Sequence, residues 1–150
     1  ASIMAHVRKL IRDNIVTTVT GLTTTGTNVF KSRVYPLSAG SLPALTVYTR
    51  SEEIIQSTMS IPRTIERTLT VAIDAYVQGL VSYEDSLDAI AVEVENAITA
   101  DVTRGGYAKD TRITNFEADF SGDPDQPVAS STITIEVDYV TIEDDPEVSV

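Results

Sequence analysis

The sequence predicts an α+β fold: a single mixed, mostly antiparallel sheet with two helices packed on one face, in the order α-β-β-β-α-β-β. Three observations lead to it. Two segments repeat apolar residues every three or four positions, which is the period of a helix with one buried face. Two long segments alternate apolar and polar residues, as a strand with one buried face must. The connections are mostly short, which favours antiparallel neighbours and helices gathered on one side of the sheet.

The first helix is expected over Met4 to Leu22. Its apolar stripe is Met4, Val7, Ile11, Ile15, Val19 and Leu22, with Arg8, Lys9, Arg12 and Asp13 on the opposite face. Gly21 and the run Thr23-Thr24-Thr25-Gly26 should stop it, because glycine frees the backbone and β-branched threonines resist helix. Two short extended runs follow, Asn28 to Tyr35 and Pro43 to Arg50, separated by a loop at Pro36 to Gly40 and read as a strand pair. Ser51 to Arg63 is polar and closed by Ile61-Pro62, so a projecting, mobile loop is expected there.

From Ile65 to Gln78 the period becomes two. Ile65, Leu69, Val71, Ile73, Ala75 and Val77 share a face interrupted by Arg67, while Glu66, Thr68, Thr70, Asp74, Tyr76 and Gln78 share the other. At roughly 3.3 Å per residue this strand spans about 45 Å and should form the spine of the sheet. Ser82-Tyr83-Glu84-Asp85 fits a capping box, and the helix it opens carries Leu87, Ile90, Ala91, Val94, Ala97 and Ile98 as its stripe before Gly105-Gly106. Strands over Asp110 to Phe120 and Pro127 to about Ile142 complete the fold, joined by a turn cluster at 121–126. In the last strand Ala129, Ile133, Ile135, Val137 and Tyr139 form the buried face. Residues 1–150 are expected to form one domain, with a loosely ordered acidic tail from about 143.

Composition narrows the function. With 42% hydrophobic and 22% charged residues the chain should fold around one core. It has no cysteine, which excludes disulfides, zinc-thiolate sites and thiol nucleophiles. No signal peptide or membrane span is read from the pattern, so synthesis and retention in the cytoplasm are expected. A formal net charge of -11 disfavours a surface that grips phosphate. Charge is also polarised: residues 1–50 hold six Lys or Arg against Asp13, whereas residues 113–150 hold ten acids and no base.

Catalytic signatures are missing. His6 is the single histidine and is read as a surface residue in a first helical turn, an unsuitable place for a Ser-His-Asp triad. No nucleophile elbow, dinucleotide fingerprint or Walker loop occurs. Asp123-Pro124-Asp125 and Asp144-Asp145 lack the spaced oxygen ligands of a calcium site. Glu66, Asp74, Glu136 and Asp138 read as a solvated polar face rather than as glycosidase carboxylates. No catalytic residue, metal or cofactor is therefore expected. Arg67 has two readings: an aliphatic stem along the core edge with its head in water, or a carboxylate partner at an interface.

Three stretches then carry a resemblance. They are Val29-Phe30-Lys31-Ser32-Arg33-Val34-Tyr35-Pro36-Leu37 after the glycine-ended helix, Leu42-Pro43-Ala44-Leu45-Thr46-Val47-Tyr48-Thr49 followed by Glu52-Glu53, and Pro62-Arg63-Thr64-Ile65-Glu66-Arg67-Thr68-Leu69-Thr70-Val71. With the Leu87-Asp88-Ala89-Ile90-Ala91 helix, the chain resembles the lambda-type tail terminator (minor tail or tail completion) family of tailed bacteriophages over nearly its whole length. The resemblance implies a structural virion protein of the tail and neck, assembled in the host cytoplasm. It implies a homo-oligomeric ring, a hexamer, that caps the tail tube protein, ends its polymerisation and meets the head-tail connector or neck protein. Phage DNA would pass through the lumen without specific binding, and no membrane is involved.

Within that role, Glu66, Asp74, Glu117, Asp119, Glu136 and Asp138 are candidates for a lumen wall that repels phosphate. Arg8, Arg12, Arg33, Glu52, Glu53, Ile54, Ile55, Arg63 and Arg67 are candidates for subunit or tube contacts. The alternatives are a head-side neck or head-completion protein and, from another class, a small α+β hydrolase or binding module.

Overall fold

The structure is a computed structural model that describes residues 6–26, 29–30, 43–56, 58–59, 61–78, 83–121, 128–142 and 145–149. It is an α+β fold. The elements run α1 (Val7–Val19), β1 (Val29–Phe30), β2 (Ala44–Gln56), β3 (Thr64–Gln78), α2 (Tyr83–Thr99), β4 (Asp110–Ser121), β5 (Val128–Ile142) and β6 (Asp145–Ser149). One sheet holds every strand in the order β1-β2-β3-β5-β4, with β6 on the end of β5. Pairing is antiparallel except between β1 and β2.

The centre of the sheet follows the alternation read from sequence. Leu69, Val71, Ile73, Ala75 and Val77 of β3 are buried, and β5 answers with Ala129, Ile133, Ile135, Val137 and Tyr139. Val7, Ile11, Ile15, Val16 and Val19 of α1 and Leu87, Ile90, Val94 and Ile98 of α2 close over that face in one continuous cluster. Glu84 and Asp85 lie in the first turn of α2, where the helix dipole favours acids. Ser82, expected as its cap, lies outside the described residues. After α1 the chain reverses through Gly21 and Gly26, at φ of 90° and 55°, which bracket a tight turn closed by backbone hydrogen bonds of 2.7 and 2.8 Å.

Three segments differ from the sequence reading. The first is the expected loop from Ser51 to Arg63: β2 continues through it to Gln56, paired with β3 from Ser51↔Thr70 to Gln56↔Ile65. The backbone groups of a strand as long as β3 need partners at both edges, and that need outweighs the polar composition of the segment. The second is the acidic tail, expected to be loose. It turns back as β6, because β4 begins pairing only at Asp138 and leaves the last residues of β5 a vacant edge. The third is the Asn28 to Tyr35 run, of which Val29–Phe30 forms β1, parallel to β2; residues 31–42, the loop at Pro36 to Gly40 among them, lie outside the described residues. The turn at 122–127 lies outside them as well.

A residue missed by sequence reading closes α2. Arg104 has no exposed surface and a φ of 51°, and its guanidinium donates to the carbonyls of Ile98 and Asp101 at the helix end. These carbonyls lack intrahelical donors, and a cation suits the negative end of the dipole.

Because Ile73 sits at the centre of β3 with no exposed surface, Ile73→Ala should destabilise the fold by roughly 2–5 kcal/mol through lost burial and a residual cavity. Val92→Ala, on the exposed side of α2, should change stability by less than about 0.5 kcal/mol. Urea unfolding followed by circular dichroism distinguishes the two.

Candidate functional site

A β-bulge builds the most densely bonded part of the molecule. Pairing passes from Thr49↔Val71 to Ser51↔Thr70, so Arg50 is an extra residue in β2. The register shift places Glu52 opposite Leu69, on the helix-covered face, where uninterrupted alternation would have turned it away. Arg67, two residues before Leu69, shares that face.

Glu52 is consequently held on every side. Its Oε2 accepts from Arg67 Nη1 at 2.9 Å and lies 3.1 Å from Arg8 Nη2, and its Oε1 accepts from the Tyr139 hydroxyl. Arg67 Nε donates to Thr141 Oγ1 at 2.9 Å, and its guanidinium lies 6.0 Å from the centre of the Tyr139 ring. Arg67 is 8% exposed, so its head is not in water; its carboxylate partner is in the same chain. Burial and the neighbouring Glu52 push the Tyr139 phenol far above its ordinary range, which keeps it a neutral donor. Two guanidinium groups share one carboxylate in a partly dry site, an arrangement whose attraction depends on the full set of partners being present.

His6 completes the group. It is half-buried, not a surface residue as read from sequence, and its Nδ1 accepts from the Arg8 backbone N–H at 3.0 Å as the N-cap of α1. Its ring meets Tyr139 edge-on at 6.5 Å. Burial, then the positive charges of Arg8 and Arg67, lower the His6 pKa from its ordinary value, with Glu52 opposing. The first turn of α1 is thereby fastened to β2, β3 and β5 at once.

Beyond this brace the β2–β3 hairpin ends in exposed apolar residues. Ile54 lies on the helix-covered side and Ile55 on the other, both exposed, and Met59 and Ile61 are 96% and 81% exposed. The Ile61-Pro62 peptide is cis. Ile55 also borders a cleft of about 390 Å³ lined by Glu66, Thr68, Lys109, Arg112 and Asp138.

The six acids singled out from sequence share the helix-free face of the sheet. The registers Asp74↔Thr132, Thr70↔Glu136, Thr68↔Asp138, Glu117↔Thr132 and Asp119↔Ser130 fix this, with Glu66 in the same alternation. They are not equivalent. Glu66, Glu117 and Asp119 are exposed. Glu136 and Asp138 bind Arg112, at 2.9 and 2.6 Å, a base that sequence reading missed. Asp74 is 8% exposed and accepts from Thr132 Oγ1 at 2.6 Å and from the Tyr76 hydroxyl at 3.3 Å, so it is enclosed rather than solvated.

The remaining candidates are dispersed. Arg12 donates to Thr49 Oγ1 at 3.2 Å, Glu53 is exposed on the helix-free face, and Arg63 is partly buried ahead of β3. Arg33 lies outside the described residues.

Two measurements follow. Glu52→Gln leaves Arg67 buried without its counter-charge and should destabilise the fold by roughly 3–5 kcal/mol in urea unfolding. The folded-state pKa of His6 is depressed, so below its unfolded value the unfolded chain takes up the proton first, and stability falls as pH drops through 6.5. His6→Asn keeps a capping side chain but cannot titrate, so its stability should fall less than that of the unaltered protein between pH 7 and 5. Parallel curves for the two proteins would show that His6 contributes nothing to the pH dependence.

No protein-family model and no curated protein matches the chain. Among the described residues no helix is long and apolar enough to cross a membrane. Among solved structures, the chain is similar to one in the virion of a native gene transfer agent (GTA) particle, with 15% identity, coverage of 91% of this chain and 95% of that chain, and a TM-score of 0.42.

Proposed function

We propose that this chain is a tail terminator of a tailed bacteriophage. In this reading it is a structural virion protein without catalytic activity, and it forms a hexameric ring on the end of the tail tube. The ring ends tube polymerisation and joins the tail to the head connector, and DNA passes through its lumen without specific binding. The resemblance in sequence supplies the family, and the observation that carries the role is the braced apolar hairpin end. Ile54, Ile55, Met59 and Ile61 stand exposed beyond the Glu52–Arg67–Arg8 group, and apolar residues held together on a firm base are suited to being covered by a partner. The partner assigned to them is the last ring of tail tube protein. The acids of the helix-free sheet face would then line the lumen, where negative charge lets DNA slide without adhering.

The double variant Met59→Asp, Ile61→Asp alters exposed positions, so it should fold with an unchanged melting temperature yet fail to halt tube growth. Electron microscopy of tubes assembled with it should show overlong polymers, and tubes of regulated length would overturn the role given to the hairpin. The triple variant Glu66→Lys, Glu117→Lys, Asp119→Lys should slow DNA ejection from assembled particles. Ejection at the original rate would remove these acids from the lumen.

A further inference from the structure

The first turn of α1 is held by contacts that suit an uncharged imidazole. His6 is the N-cap, and both of its ring nitrogens face donors of one residue: Nδ1 accepts from the Arg8 backbone N–H at 3.0 Å, and Nε2 lies 3.1 Å from Arg8 Nη2. A neutral imidazole keeps one lone pair for a donor, whereas an imidazolium keeps none and presents two N–H groups. Protonation would therefore remove the cap and set a third positive charge beside Arg8 and Arg67.

The charged and titratable groups around the ring come from every element packed against it. α1 supplies Arg8, β2 Glu52, β3 Arg67, and β5 the neutral phenol of Tyr139, whose ring His6 meets edge-on. Lys9 is turned to Asp13 at 2.6 Å. β6 also packs on α1 and carries Asp145 and Glu147, while residues 1–5 carry no ionisable side chain. Among the described side chains Glu52 is the acid that would attract the new charge, but two guanidinium groups already share it.

What holds the sheet does not depend on His6. Glu52 keeps Arg67 at 2.9 Å and the Tyr139 hydroxyl if Arg8 departs, and Arg67 keeps Thr141. Arg8 is the outermost partner, its side chain 37% exposed against 8% for Arg67. Further along α1, Ile11, Ile15 and Val19 are buried and Arg12 donates to Thr49 Oγ1, so a release that begins at His6 meets a second anchorage after about one and a half turns. Val7 is the buried apolar contact that such a release gives up. We propose that His6 is a pH-operated latch: its protonation opens the first turn of α1, with Arg8, away from β2, β3 and β5 while the sheet and the rest of the helix stay folded. The direction follows from linkage. The closed form takes up a proton less readily than the open form, so the latch holds above pH 6.5 and loosens as pH falls below it.

Native-state amide exchange of the full chain tests this, with rates normalised to the intrinsic rate at each pH. The amides of Arg8, Lys9 and Leu10 donate to His6 in the closed form. Between pH 7 and 5 their opening should become severalfold more frequent, up to the roughly thirtyfold that a released histidine of ordinary pKa sets at pH 5. Low concentrations of urea should leave these openings unchanged, because a freed turn exposes little surface. Exchange at Val71, Ile73 and Ile135 should quicken with urea and stay at least about a hundredfold slower. His6→Asn and His6→Ser each retain a capping side chain that does not titrate, so the acid effect on residues 8–10 should vanish in both. Exchange of residues 8–10 in step with the sheet and with the same urea dependence would overturn the latch, as would an acid effect of the original size in either variant. No tail tube enters these readouts, so their outcome is separable from the role proposed above.

Discussion

Strand β3 sets the terms for everything around it. Its fifteen residues carry backbone groups on both sides, and those groups are paired with β2 and β5 along almost the entire length. On its helix-covered face the apolar run is broken once, by Arg67, between the buried Ile65 and Leu69. A buried guanidinium at that point requires a partner, and Glu52 is supplied by β2, Tyr139 by β5 and Arg8 by α1. The ionic group thus ties the first turn of α1 to the strands around β3.

Much of this was legible in the residues. The periods of three to four and of two located both helices and the strands β3 and β5, because each has one apolar face packed against neighbours. What escaped notice depended on partners distant in sequence. The outer half of β2 reads as polar loop because its strand character comes from pairing with β3, not from its own apolar content. β6 reads as acidic tail because the vacancy it fills exists only once β4 and β5 are in register. Arg67 was visible as a break in an apolar stripe, yet its partner could not be named, since a bulge at Arg50 decides that Glu52 and not Glu53 reaches the same face. Arg104 gave no signal at all, as its place is set by carbonyls at the end of α2.

The helix-free face shows the same limit at the level of charge. Alternation gathered Glu66, Asp74, Glu136 and Asp138 on it, and the register adds Glu117 and Asp119, but alternation could not rank them. Register brings Arg112 onto Glu136 and Asp138, and packing encloses Asp74 among hydroxyl groups, so these three contribute less to the potential of the surface than the exposed Glu66 and Glu117. A sum of formal charges overstates how evenly that face would repel phosphate.

The bulge in β2 also bears on which changes in chain length the protein can accept. Side chains in a strand alternate, and Arg50 is the one residue in excess of that alternation. Deleting it would set Ser51 directly after Thr49 and leave Ser51↔Thr70 and Glu52↔Leu69 as they are. Keeping Arg50 but pairing it regularly would instead exchange the two faces from Ser51 to Gln56: Glu52 would leave its two arginines, Glu53 would turn toward them, and Ile54 and Ile55 would trade sides. Parity is therefore what the strand must keep at this point, and neither the identity of Arg50 nor its presence is needed for it.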